Sequence, residues 1–307
     1  MRHGLLRAAL LFAALAAHAR AAAAWPVYLA LGDSSAFGET DRSKNPSNGD
    51  RGYVAPFADF LAKRYSGARP TVINAAVDGE TSQSYFTGAP RSADDGQRNN
   101  TNYAAPYATQ QATMRALAAK ALAGGGHVDV VTLQFGANDL FVVAETPGFL
   151  SKSSAQQQAE VGAAVAQLQK NYVGILGEVR TLFPDAEVYL MGYHNPYGSS
   201  PEHPFYPLGA PAVGGVNAVA AGVAPLFGAT YVDVYSAVAG REHELTLIDE
   251  GYNVHLNDAG YAVAADRLIA AAPIAHSTSV PGSAASDGSC DHKETPTLVR
   301  AAVLMTR

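Results

Sequence analysis

The chain has 307 residues, 48% of them hydrophobic and 16% charged, with a formal net charge of −6. This is a globular composition, with enough apolar material for one large domain or two small ones. No run of Lys or Arg occurs, which excludes the basic stripe that a nucleic-acid partner requires.

Residues 1–24 read as a secretory signal peptide. Arg2 and Arg7 supply the positive start, Ala8–Ala17 the apolar stretch, and Ala19-Arg20-Ala21 or Ala22-Ala23-Ala24 the small-residue cleavage site. The stretch is too short, and too interrupted by His18 and Arg20, to anchor in a bilayer, and no later segment reads as a membrane span. The product is therefore expected in the periplasm or outside the cell, as a monomer. The only cysteine is Cys290, so an exported form has no internal disulfide and depends on its core.

From Trp25 to Ile274 strand and helix patterns alternate. Short runs rich in Val, Ile, Leu and Tyr predict strands at Val27–Leu31, Thr71–Ala75, Val128–Phe135, Glu187–Tyr193 and Thr230–Val234, each apolar enough to be buried on both faces. Helical spacing predicts helices at Tyr53–Tyr65, Tyr107–Ala123, Ala155–Phe183, Ala212–Phe227 and Asp258–Ala271. Pro184 closes the third of these, and Asp258 reads as the N-cap of the last. Alternation of this kind implies a parallel sheet of about five strands inside a three-layer α/β/α sandwich. Two connections, Gln83–Pro106 and Asn195–Pro211, are long enough to be functional loops. Residues 275–307 form a Ser/Gly-rich tail, flexible by composition.

The first strand runs directly into Gly32-Asp33-Ser34. A hydroxyl at the carboxyl end of a parallel strand is a candidate nucleophile, because that edge is where such sheets present ligands. Acyl transfer also needs a base and oxyanion donors. His255 is the candidate base. Ser34 and Gly79 offer backbone N–H groups, and Asn138, in Gly136-Ala137-Asn138-Asp139, offers a side-chain amide. No Gly-x-Ser-x-Gly elbow occurs. His243-Glu244 begins like a zinc-binding helix, but Leu247 stands where the second His would be, and no metal or organic cofactor is expected.

In this order, Gly-Asp-Ser near the start, then Gly79, then Gly-x-Asn-Asp, then a late His, the blocks resemble the SGNH or GDSL hydrolases over roughly Tyr28–Leu268. The resemblance implies a flavodoxin-like sheet and cofactor-free hydrolysis of ester or thioester bonds. One position departs from that family: where an Asp is expected two or three residues before the His stand Asn253 and Tyr252. The orienting group is then Asn253 as a neutral acceptor, Asp249 looping in, or a backbone carbonyl.

Asp33 and Asp139 read as loop-holding acids, Glu39 and Asp41 as solvated loop residues, and His194 and His203 as loop histidines. Tyr193, Tyr197, Phe205 and Tyr206 form an aromatic lip suited to the acyl chain or aryl group of a small-molecule or lipid ester. The leading expectation is an exported carboxylesterase or lipase. A lysophospholipase or thioesterase, a polysaccharide O-deacetylase, or an inactive binding module with the same site remain as alternatives.

Overall fold

The computed structural model describes residues 25–40, 52–65, 67–88 and 108–272. Residues 1–24, expected as a signal peptide, Asp41, most of the 83–106 connection, and the expected tail with Cys290 lie outside the described residues.

Five strands, β1 (Trp25–Gly32), β2 (Thr71–Asn74), β3 (Gly126–Gln134), β4 (Glu187–Met191) and β5 (Thr230–Val232), form one sheet. Every neighbouring pair is parallel, in the order β2-β1-β3-β4-β5. The period-2 alternation of a strand explains why β1 is apolar at every step from Val27 to Leu31. Val27, Leu29 and Leu31 enter one core, while Tyr28 and Ala30 enter the other. A fully buried Val or Leu contributes about 1.5–3 kcal/mol, so one short strand holds both layers.

The helices longer than a single turn are α1 (Val54–Arg64), α2 (Gln110–Ala123), α3 (Ala137–Ala144), α4 (Ser154–Leu182), α5 (Tyr206–Val223) and α6 (Asp258–Ala271). Met114 of α2, Leu168 and Ile175 of α4, and Val216 and Val223 of α5 pack on the Leu29 face. Phe57 and Leu61 of α1, with Tyr261 and Leu268 of α6, pack on the Tyr28 face. These are the outer layers of the expected sandwich. Strand order reverses at β1, with β2 on one side and β3 on the other, so a crevice opens beyond the carboxyl ends of β1 and β3.

Three sequence expectations are corrected here. Helix α5 begins at Tyr206 rather than Ala212 and runs through Pro211. Pro207 lies in its first turn, where N–H groups lack helical partners anyway, and Pro211 removes one bond only. With the 3₁₀ turn that follows it, this segment also meets the length and composition of a membrane span: Tyr206–Phe227 has mean hydropathy 1.5. Its Val216, Ala220 and Val223 are buried in the sheet core, as in the core helix of a folded domain. Finally, the N-cap of α6 is Asn257, whose side chain accepts from Gly260 N–H at 3.0 Å, and Asp258 is the first helical residue.

Candidate active site

The site begins where β1 ends. Gly32 has φ +143°, and a Cβ there would stand 2.3 Å from the Gln134 carbonyl oxygen, so only glycine lets β1 close on β3 at this point. Asp33 then caps a single helical turn, Ser34–Phe37, accepting from Ser35 N–H at 2.9 Å. The cap turns the chain sharply, leaving Ser34 at the start of the turn, 8% exposed, on the wall of a cavity of about 460 Å³.

His255 reaches the same cavity from the loop before α6. Its carbonyl accepts from Leu247 N–H at 2.9 Å, and the antiparallel bridge Thr246–Leu256 holds the loop in place. The ring Nε2 lies 2.8 Å from Ser34 Oγ, and Nδ1 lies 2.7 Å from Asn253 Oδ1. The surroundings of Asn253 dictate its amide orientation. Oδ1 also accepts from His255 N–H at 3.1 Å, whereas Nδ2 donates to the Thr40 carbonyl at 3.1 Å. With Oδ1 pinned as an acceptor, Nδ1 must carry the ring proton, and the Nε2 lone pair faces the serine hydroxyl. Asp249 is engaged elsewhere, 2.8 Å from His243 Nδ1 on the exposed surface. Between the alternatives left by the sequence, the geometry puts Asn253 and not Asp249 against the ring.

Asn138 lies in the first turn of α3, is 5% exposed and lines the cavity. One amide hydrogen goes to the Glu80 carbonyl at 3.0 Å, which fixes the side chain and leaves a second N–H on the same nitrogen. Gly136, just before α3, has φ +132°, and a Cβ there would come 2.6 Å from Val216, so α3 and α5 meet closely at this end. Gly79, with φ +71°, stands between Asp78, which lines the cavity, and Glu80. A buried pair with no sequence signature ties these pieces together. The Gln110 side chain accepts from Gly32 N–H at 2.9 Å, donates to the Gly32 carbonyl at 2.8 Å, and donates to Glu80 Oε2 at 3.1 Å. It acts as a strand partner for the last residue of β1 and links the serine turn to the Gly79–Glu80 loop.

Several residues differ from their sequence reading. Glu39 is 2% exposed rather than solvated, because the turn from Ser34 folds it inward. Tyr193 lines the cavity as a buried strut following β4, and its hydroxyl donates to Asp33 Oδ2 at 2.6 Å. Tyr206 is 41% exposed and does not line the cavity, while Tyr197 and Phe205 do. His203 stacks on Tyr197 with centroids 4.2 Å apart and packs against Tyr252 at 4.6 Å. Tyr252 itself has φ +60°, a conformation costing a bulky residue on the order of 1 kcal/mol. Burial lowers the His194 pKa to about 4, so the ring is neutral at pH 7 and Nε2–H donates to the Val254 carbonyl at 3.0 Å. Asp139 behaves as read: its carboxylate accepts from Ser82 N–H at 2.9 Å.

Among the described residues, Glu39, Asp78 and His255 converge closely enough to hold a metal ion, their donor atoms lying within 4.8 Å of one another. Both nitrogens of His255 already face Asn253 and Ser34, so the two carboxylates are better placed to stabilise a positive ring than to share an ion with it.

Burial raises the Asp33 pKa from 3.8 to about 7, against the lowering effect of the Tyr193 hydroxyl. Between those two values the folded state holds a proton that the unfolded chain has released, so this group's contribution to stability falls as pH rises through the window. Asp33→Asn removes that loss. The melting temperature of the variant minus that of the wild type is expected to rise from pH 4 to pH 7 and then level. A difference independent of pH would contradict the assignment.

A hydroxyl, an imidazole nitrogen 2.8 Å from it, and an amide donor thus meet on one parallel-sheet edge. A family model for the GDSL-like lipase/acylhydrolase family matches residues 30–263. The chain belongs to that family and is an ester hydrolase. Solved structures share its fold at low identity. A lipase from a goat rumen metagenome is 21% identical, with a TM-score of 0.54, covering 80% of this chain and 96% of its own. An extracellular lipase from Streptomyces rimosus is 17% identical, with a TM-score of 0.53, covering 80% of this chain and 100% of its own. An acetyl-xylooligosaccharide esterase from Geobacillus is also 17% identical, with a TM-score of 0.52, covering 80% of this chain and 93% of its own. The comparison with curated proteins found no match.

Proposed function

We propose that this chain is an exported serine esterase that cleaves carboxylic esters with an apolar acyl group through an acyl-Ser34 intermediate. Ser34 Oγ attacks the acyl carbon while its proton passes to His255 Nε2. The tetrahedral oxyanion is held by the N–H groups of Ser34 and Gly79 and by the Asn138 amide. The C–O bond to the alcohol then breaks, and the leaving oxygen takes the proton from Nε2. Water repeats the sequence and releases the acid. Asn253 keeps the ring in the productive tautomer throughout.

The carrying observation is the Ser34–His255–Asn253 relay, at 2.8 and 2.7 Å with each donor and acceptor assigned. Export rests on the signal-peptide pattern of residues 1–24. The apolar cavity wall favours an acyl chain longer than acetyl, and thus an esterase or lipase over a deacetylase. The test is a fluorophosphonate probe on the purified protein, with the adduct located by peptide mass spectrometry. One adduct on Ser34, appearing as esterase activity is lost, is expected. Lack of labelling would remove Ser34 as the nucleophile, and an adduct on another residue would move the nucleophile there.

A further inference from the structure

We propose that the acyl chain runs in the slot between α3 and α5, and that Ala144 and Leu208 at its far end limit the chain length accepted. This rests on the reading of Ser34 as nucleophile and Asn138 as oxyanion donor, and it adds where the chain goes and how long it can be.

The cavity is lined unevenly. Around Ser34 and His255 its wall is polar, but the stretch leading away is walled by Leu140, Phe141 and Ala144 of α3 and by Gly209, Val213 and Val216 of α5, with the exposed Glu145 following Ala144 on the lining. On α3 the lining positions 137, 141 and 144 recur at helical spacing and share one face, as do 209, 213 and 216 on α5. Two apolar stripes therefore border one space.

Their direction follows from the close approach of Gly136 to Val216. Val216 stands beside the start of α3, and Ala144 and Leu208, each two turns along its helix from that contact, line the same cavity, so in the proposed binding mode they form its far end. Asn138 sits at the near end and supplies the amide that would meet the ester carbonyl. A chain leaving that carbonyl finds an apolar path along α3 at once.

The slot has a length. From Asn138 to Ala144 the helix rises about 9 Å. An extended alkyl chain advances about 1.3 Å per carbon, so the slot accommodates roughly six to eight carbons. Each methylene taken out of water is worth about fourfold in kcat/KM where the wall is apolar, and little beyond it. A Cβ on Gly209 would stand 2.5 Å from Asn195 Oδ1, so glycine there lets the Asn195 side chain close on α5, whereas Ala144 is a small residue on the lining, where a larger side chain would extend into the slot.

The experiment is a p-nitrophenyl ester series from acetate to palmitate. For the wild type, kcat/KM is expected to climb to hexanoate or octanoate and then fall. Ala144→Phe should lower the octanoate-to-acetate ratio at least tenfold. Leu208→Ala should raise the decanoate-to-octanoate ratio several-fold. Ala144 and Leu208 are only half-buried, so both variants should fold, with circular dichroism as the check. Val142, outside the cavity lining and 47% exposed, is the control: Val142→Phe places the same aromatic side chain on α3 without touching the slot and should leave both ratios as they were. Equal losses on acetate and octanoate in Ala144→Phe, or a shift in Val142→Phe matching it, would overturn this inference alone. Absence of turnover on every ester would overturn it together with the esterase reading.

Discussion

Replacing Ser34 with Ala is expected to lower kcat on p-nitrophenyl butyrate by about 10⁴–10⁶, with KM changed far less. The hydroxyl 2.8 Å from His255 Nε2 is the only atom of the relay that bonds to the substrate in the proposed mechanism. Its loss removes both the covalent intermediate and the proton that the base transfers. Adding His255→Ala to Ser34→Ala should then cost almost nothing more, because a base with no hydroxyl to deprotonate does no work. Strong non-additivity is the signature of groups acting as a unit. If the two single losses multiplied, Ser34 and His255 would be acting on separate steps. What remains in the double variant measures the oxyanion donors and substrate binding alone.

The second large effect is expected at Asn253. Asn253→Ala removes the acceptor for His255 Nδ1, the acceptor for His255 N–H and the donor to Thr40. The imidazole is then free to take the other tautomer or swing from Ser34, and kcat should fall by about 10²–10⁴. Asn253→Asp separates orientation from charge. A carboxylate still accepts from Nδ1 and from the backbone N–H, but it cannot donate to the Thr40 carbonyl. It also favours the protonated ring, so the acid limb of kcat/KM should move to higher pH while activity stays well above that of the Ala variant. The pH profiles of the three proteins decide the matter. An Ala variant within a few-fold of wild type would mean that the ring is held by something else. An unshifted acid limb in the Asp variant would place residue 253 outside the charge balance of the histidine.

The replacement of a carboxylate by an amide beside His255 has a physical counterpart nearby. Glu39 and Asp78, remote from His255 in sequence, bring their carboxylates within 4.8 Å of it and of each other. In the proposed mechanism they supply negative potential for the imidazolium while Asn253 supplies direction. The family pattern implies one residue for both tasks; in the proposed mechanism the two are divided.

Much of the fold was legible because its signals are local. The uninterrupted apolar runs of β1 and β3 announce strands buried on both sides, and Gly32-Asp33-Ser34 announces a tight turn at a strand end. The long helix α4 was readable from its spacing and from Pro184. Helix α3 was not, since its eight residues span barely two turns and its opening Asn and Asp resemble a cap. The early start of α5 was hidden by Pro207 and Pro211, which read as breakers when their position in the first turns is unknown. Glu39 was misplaced because burial of a short acidic loop residue depends on what folds over it.

By itself, then, the sequence determined the layered α/β class, the order of the blocks, and the identity of the candidate nucleophile, base and amide donor. These depend on residue type and on spacing along the chain. The tertiary structure alone decided who stands next to whom. It chose Asn253 over Asp249 for the ring, recruited the Thr40 carbonyl to orient that amide, and set Gln110 against Gly32. Those pairs are separated by 213 residues for Asn253 and Thr40 and by 78 for Gln110 and Gly32. No local pattern carries such contacts. Parallel strand order brings the carboxyl ends of β1 and β3 to one edge, and His255 reaches that edge from 221 residues beyond Ser34.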